Sequence, residues 1–305
     1  MQPEVEGDLA RTTSSPPVSR ICAVVNPVSG SVKPGAEDEL RELIAGRGHA
    51  LDLFLIEEQN IEQVVRQAVD KAPDLLIVLA GDGTAGLAAE QCGPDGPLLA
   101  PLPGGTMNML PHALYGAVPW QEALRAALEH GVARPVSGGR VDGHAFYVAA
   151  VLGAPALWAQ AREALRAGRW LEVKRRADMA WRRAFAGGLR FAPEGGAERN
   201  GEALVLICPL VSKALDEEQA LELAALDFKD AREMARLALS GVTGAWRDDP
   251  AVACGLARRG WARMRGSIPA ILDGESFRLP RLATFEFVPR AFRALAPPDA
   301  AMAIL

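Results

Sequence analysis

The sequence predicts an α/β first domain followed by a second, β-rich, sandwich-like domain. Two observations carry this expectation. From Ile21 to about residue 102, short apolar runs alternate with segments of helical periodicity, the pattern of a parallel sheet covered by helices. After about Arg134 that alternation stops, and Asp-Gly turns flanked by alternating apolar residues take over. A length of 305 residues fits two domains, and 49% hydrophobic residues supply enough apolar mass for a sizeable core.

Element by element, Ile21–Val25 reads as a buried strand stopped by Asn26-Pro27. Glu37–Arg47 reads as a helix with Leu40, Leu43 and Ile44 on one face. Ala50–Ile56 reads as a second strand, Ile61–Val69 as a second helix and Asp74–Ala80 as a strand buried on both faces. Gly81–Gly83 reads as a loop, Ala85–Gln91 as the start of a helix and Leu98–Leu102 as a strand. Further on, Arg140–Val148 reads as a hairpin around Asp142-Gly143, and Ile268–Leu279 as a hairpin around Asp273-Gly274. Ala203–Val211 and Arg281–Val288 read as strands, Trp158–Phe185 and Asp227–Leu239 as helices, and Phe191–Gly201 as a flexible loop. The expected organisation is a disordered tail over 1–19, an α/β nucleotide-binding domain over 20–134, a β-rich substrate domain over 135–290, and a segment over 291–305 returning to the first domain.

Composition narrows the function. Thirty-three Lys and Arg against 38 Asp and Glu give a net charge of −5, which excludes a generally basic nucleic-acid binder. The four cysteines are far apart with no C-x-x-C, arguing against a zinc site or disulfide framework and for a reduced, cytoplasmic chain. The run Ala145–Ala159 is shorter than the ~20 residues a membrane-spanning helix needs, and the N-terminal residues lack the basic and apolar regions of a signal peptide.

Three Gly/Asn/Thr loops follow three of the first-domain strands: Asn26-Pro27-Val28-Ser29-Gly30, Gly81-Asp82-Gly83-Thr84 and Gly104-Gly105-Thr106-Met107-Asn108. Glycine lets backbone approach a polyphosphate, amides at a following helix N-terminus bind anions, and ligands of such sheets lie beyond the C-terminal strand ends. Thr84 and Thr106 would add hydroxyls, and Asp82 would hold Mg²⁺ directly or through water. No Gly-Lys-Ser/Thr is present, and no G-x-G-x-x-G follows the first strand, so neither a Walker A loop nor a dinucleotide fingerprint fits.

These motifs resemble the diacylglycerol kinase catalytic family, with its bacterial lipid kinases and sphingosine and ceramide kinase relatives. Asn26, Pro27, Ser29 and Gly30 match its N-P-x-S-G motif. Gly81–Thr84 match G-G-D-G-T with Ala80 in place of the first glycine, and Gly105, Thr106 and Asn108 match G-T-x-N. Asp273, Gly274 and Glu275 match a late D-G-E motif, and the resemblance covers about residues 20 to 296. It implies a Rossmann-like first domain of the type that NAD kinases share and a β-sandwich second domain. It implies ATP and Mg²⁺ in the cleft between them and a lipid hydroxyl as acceptor, with the proposed base in the segment of Asp273 and Glu275. Departures are Met109, where many members carry Asp, the lack of a matching Thr near Ile56–Glu58, and Asp216–Gln219 in place of an acidic metal-binding turn.

The reading is an ATP-dependent lipid kinase acting on a lipid such as diacylglycerol or a sphingoid base. The alternatives are an NAD-kinase-like activity or a non-catalytic lipid-binding relative. Arg175, Arg176, Arg182 and Arg183, interleaved with Trp170 and Trp181, form a candidate patch for anionic membrane, which Arg258, Arg259, Trp261, Arg263 and Arg265 would extend. The expected partners are thus a lipid substrate at a membrane surface, the inner face for a cytoplasmic protein, and no nucleic acid.

Overall fold

The computed structural model describes residues 18–57, 60–153, 156, 188–212, 219–228, 233, 236 and 246–298. Its first half alternates strictly: β1 (Arg20–Val25), α1 (Ala36–Ala45), β2 (Ala50–Leu55), α2 (Ile61–Asp70), β3 (Leu75–Ala80), α3 (Asp82–Cys92) and β4 (Leu98–Pro103), then α4 (Met109–Tyr115) and α5 (Trp120–His130). Strands β2-β1-β3-β4 lie side by side and parallel. Every residue of β3 and β4 is buried, as expected for strands covered by helices on both faces. Helix α2 begins at Asn60, whose side chain accepts the Glu62 amide at 3.0 Å, and buries Val64, Val65 and Ala68 on one face. The order 2-1-3 makes the gap between β1 and β3 a topological switch point, where loops leave a parallel sheet in opposite directions.

The second half is built from β5 (Val132–Val141), β6 (His144–Phe146), β7 (Ala149–Gly153), β8 (Leu189–Pro193), β9 (Arg199–Gly201), β10 (Ala203–Ile207), β11 (Leu221–Leu226), β12 (Val252–Ala257), β13 (Arg259–Arg263), β14 (Ile268–Leu272), β15 (Glu275–Leu279) and β16 (Leu282–Ala296). Two sheets result. An antiparallel six-stranded sheet runs β12-β11-β10-β7-β14-β15. The other strands extend the parallel sheet: β16 runs parallel beside β4, with Ala294 opposite Leu99, and pairs antiparallel with β5 and β13, followed by β8 and β9. Phe146, Phe191, Phe285, Leu152, Leu206 and Leu272 fill the core between the sheets. Phe292, Ala294 and Leu295, at the far end of β16, belong instead to the core of the first half.

The α/β half and the β-rich half are thus as expected, with local differences. The helix after β3 begins at Asp82, so Asp82, Gly83 and Thr84 form its first turn and only Gly81 lies before it. Helices α4 and α5 occupy a stretch outside the elements expected from the sequence. Phe191–Gly201 is a hairpin, with Arg190 paired to Asn200 and Phe191 to Arg199, and not a loop. The strand from Ala203 stops at Ile207, where a turn closes with the amides of Val211 and Ser212 on the Cys208 carbonyl. The last strand continues beyond Val288 through an irregularity to Ala296. Both Asp-Gly turns are present, with positive φ at each residue, the requirement of the tight two-residue hairpin turn: 49° and 85° at Asp142-Gly143, 44° and 88° at Asp273-Gly274. The helix expected over Trp158–Phe185 lies outside the described residues, as does that over Asp227–Leu239 apart from Asp227, Phe228, Glu233 and Arg236. The tail 1–19 is described only at Val18 and Ser19.

Candidate functional site

The three glycine loops leave the C-terminal ends of β1, β3 and β4, and the switch point brings them into contact. Asn26 ties the first loop down: its amide donates to the Leu79 carbonyl (3.0 Å), its Oδ1 accepts from Val28 N (3.2 Å), and its carbonyl accepts from Ser29 N (3.1 Å). Ser31, which the sequence motifs do not single out, stitches this loop to the third. Its amide donates to Gly104 O (3.0 Å) and its hydroxyl to Gly105 O (2.7 Å). A Cβ on Gly105 would stand 2.6 Å from Gly81 Cα, and one on Gly30 would stand 2.9 Å from Thr106 Oγ1. Ser29 Oγ is 3.6 Å from the Cβ position of Gly81. Ser29, Gly30, Gly81, Gly105 and Thr106 are therefore one compact cluster, in which backbone proximity dictates Gly105 and the Thr106 side chain crowds Gly30.

Asn108 holds the third loop closed. It adopts left-handed backbone (φ 52°), accepts from Gly105 N (2.7 Å) and donates from Nδ2 to Gly105 O (3.1 Å). Its side chain is thus occupied within the loop. Thr84 is buried at 6% exposure, whereas Thr106 is exposed, so of the two threonines Thr106 is the one open to solvent. Asp82 opens α3 and turns its carboxylate to the start of α4, where Leu110 N approaches Oδ1 at 3.4 Å. Burial pushes its pKa up, opposed by the amides of Leu110, Met109 and Asn108 and by His112.

The Asp-Gly-Glu hairpin between β14 and β15 closes over this cluster from the second sheet. Gly274 faces Met109 Sδ and Met107 Cγ, 3.6 and 3.7 Å from its Cβ position, and Glu275 Oε1 lies 3.3 Å from that of Gly83. Asp273 accepts three backbone amides: Tyr147 N on Oδ2 (2.6 Å), and Val148 N and Ala149 N on Oδ1 (both 2.9 Å). Those residues form the crossing from β6 in one sheet to β7 in the other, so this carboxylate pins the hairpin where the chain changes sheets. Burial raises the Asp273 pKa to about 6 against the pull of the three amides, with the Asp82 charge adding to the rise. Glu275 is exposed.

The structure brings the loop residues, Asp82, Asp273 and Glu275 to one place. Arg175, Arg176, Arg182 and Arg183 lie outside the described residues, as does Asp216–Glu218. Of the patch extension, Arg263 stacks 5.6 Å from the Trp261 ring and lies 3.8 Å from Glu198, while Arg259 lies 4.0 Å from Glu286. Among the described residues no helix is long and apolar enough to cross a membrane, and no three His, Cys, Asp or Glu side chains cluster tightly enough to hold a metal ion by themselves.

Residues 20–141 match the model of the diacylglycerol kinase catalytic domain. A diacylglycerol kinase structure from Bacillus anthracis str. Sterne aligns at 15% identity with a TM-score of 0.63, covering 93% of this chain and 98% of that one. Two further structures from the same organism, assigned to the diacylglycerol kinases, align at 17% and 18% identity with TM-scores of 0.68 and 0.66. They cover 93% and 92% of this chain and 99% and 98% of theirs. At these identities the whole-chain likeness establishes a shared fold, and over residues 20–141, which carry the three loops, the chain is similar to the diacylglycerol kinase catalytic domain.

Proposed function

We propose that the protein is a lipid kinase that transfers the γ-phosphate of ATP to a hydroxyl of a lipid such as diacylglycerol or a sphingoid base. The observation that carries this reading is the apposition of two unlike surfaces. A cluster of glycine loops at the switch point presents exposed backbone and the Thr106 hydroxyl, and an exposed carboxylate, Glu275, stands over it from the other sheet. Backbone amides and a hydroxyl suit a polyphosphate, and a carboxylate suits an alcohol that must lose its proton.

Mg²⁺ fits the same residues. Asp82, Asp273 and Glu275 place three carboxylates at the cleft, so an anionic nucleotide needs a cation to enter. Because those carboxylates do not form a closed metal cage, the ion would arrive with the phosphates and reach Asp82 through water, neutralising charge on the transferring group. In the transfer, the acceptor oxygen forms a bond to phosphorus as the bond to the ADP oxygen breaks, and the hydroxyl proton passes to a carboxylate. We assign that proton to Glu275. Asp273 has three acceptor positions committed to the amides of residues 147–149 and acts by holding the hairpin that carries Glu275. The lipid acceptor requires the cleft to meet a membrane surface, a role we give to the basic and aromatic segment containing Arg175, Arg176, Arg182 and Arg183.

The test is labelled ATP with a panel of lipids in mixed micelles. We expect Mg²⁺-dependent phosphorylation of a lipid alcohol, and a loss of ~10²–10⁴-fold in kcat for Glu275→Gln with the protein still folded. Labelling of no lipid would overturn the reading, and so would full turnover by Glu275→Gln together with Asp82→Asn.

A further inference from the structure

We propose that β12 is an interface, and that two copies of this chain associate by pairing their β12 strands antiparallel about a two-fold axis. Unpaired sheet edges are liabilities, and proteins blunt them with charges, prolines or short length. Among the described strands, β2 at the edge of the larger sheet carries Asp52, β9 at its other end has three residues including Arg199, and β15 at one edge of the smaller sheet carries Glu275 and Arg278. β12, the other edge of that smaller sheet, has none of these devices. Its six residues, Val-Ala-Cys-Gly-Leu-Ala, contain no charge and no proline. Its neighbour β11 is buried along five of its six residues, yet Ala253, Cys254, Gly255 and Leu256 are all exposed, Leu256 at 55%. Both faces of the strand are thus open.

The flanks say what occupies this edge. Asp248, exposed, lies just before the strand, and Arg258 and Arg259 lie just after it. When two copies of one strand pair antiparallel about a two-fold axis, the segment before the strand in one copy meets the segment after it in the other. Asp248 of each copy is thereby brought toward Arg258 and Arg259 of the other, whereas a parallel pairing would set like charges together. A groove of about 370 Å³ at that end of the strand, lined by Pro193, Glu194, Leu256, Arg258 and Arg259, receives the incoming segment. Its two arginines against one glutamate leave it net positive. The edge is therefore complementary to itself, which distinguishes a second copy from an unrelated partner.

The measurement is the mass of the full chain by sedimentation equilibrium at micromolar concentration. We expect a dimer. Gly255→Lys tests the edge without touching the fold, because a Cβ at Gly255 meets nothing within 4 Å. Two lysines across the axis should raise the dimer dissociation constant at least ~10-fold, since like charges opposed across a strand pair destabilise it, with the melting temperature of the monomer preserved. Gly266→Lys, equally open but outside the strand, should leave the dimer intact. Asp248→Arg should weaken association, and adding Arg259→Asp should restore it. A monomeric wild type would overturn the proposal, as would a dimer indifferent to Gly255→Lys and to the charge reversals.

Discussion

At the scale of single residues, one glycine and two carboxylates, Gly83, Glu275 and Asp273, can be tested directly. Gly83 sits in the first turn of α3, where Ala is intrinsically favoured over Gly by about 1 kcal/mol. A methyl there stands 3.3 Å from Glu275 Oε1, so the flexible end of Glu275 must give way while no backbone need move. Gly83→Ala should therefore fold with unchanged or slightly higher stability by urea titration and yet lose kinase turnover. Undiminished turnover would mean that the position of Glu275 is unimportant. Asp273 makes a prediction of opposite type. With its folded pKa raised to about 6 from an ordinary 3.8, the native state binds more protons than the unfolded chain between those values. The contribution of this group to stability therefore falls as pH rises through that window. Asp273→Asn removes the titration and turns an amide donor toward one of the three amides, so it also loses one of the three hydrogen bonds. In thermal melts the advantage of wild type over Asp273→Asn should shrink from pH 4 to pH 6. A difference that is constant or grows with pH would show that burial does not dominate at this site.

At the scale of elements, the loops behave as one packed unit, and Asn108 is its fastener. Its left-handed backbone costs an ordinary residue about 1 kcal/mol, and its two bonds to Gly105 satisfy buried groups. Asn108→Ala should lose about 3 kcal/mol in a denaturant titration, and Asn108→Gly, which recovers the backbone but not the bonds, should fall between. Equal losses in both variants would assign the whole effect to the hydrogen bonds. What could be read in advance follows from the same physics. β1, β3 and β4 are buried on both faces, so their residues form unbroken apolar runs, and the glycine loops announce the cluster because at Gly104 and Gly105 close backbone approach leaves no room for a side chain. α5 is missing from the expected elements although Trp120, Ala123, Leu124 and Ala127 have the i, i+3, i+4, i+7 spacing of a buried face. α4 is hidden by Pro111, which helices tolerate only in their first turn. β8 and β9 are short and carry turn residues, and β11 and β12 are rich in Ala and lack a run of β-branched residues, so nothing in their composition marks a strand. The placement of Glu275 beside Gly83, or of Asp273 on the amides of 147–149, depends on how two sheets pack, and no local spacing encodes that.

At the scale of the whole molecule, β16 joins the two halves. Its first residues pair with β13 and β5 over the core between the sheets, and its last residues run beside β4 in the core of the α/β half. The segment matched by the family model, 20–141, does not contain this strand. Without β16, β4 and β5 lose the strand that joins them. Phe292 is the residue on which this coupling can be measured. It is fully buried in the first core, and its ring meets Tyr147 edge-on at 5.2 Å, in the same segment that Asp273 clamps from the second sheet. Phe292→Ala should cost about 3–5 kcal/mol, the usual range for truncating a buried aromatic. If the halves were independent, the loss would fall on the α/β half alone, and β11 and β14 amides would keep their wild-type exchange protection. Shared through β16, the loss should lower hydrogen-exchange protection by the same free energy in β3 and in β14, with a single denaturant transition seen by every probe. Unequal losses in those two strands would separate the halves and confine the role of β16 to closing the sheet.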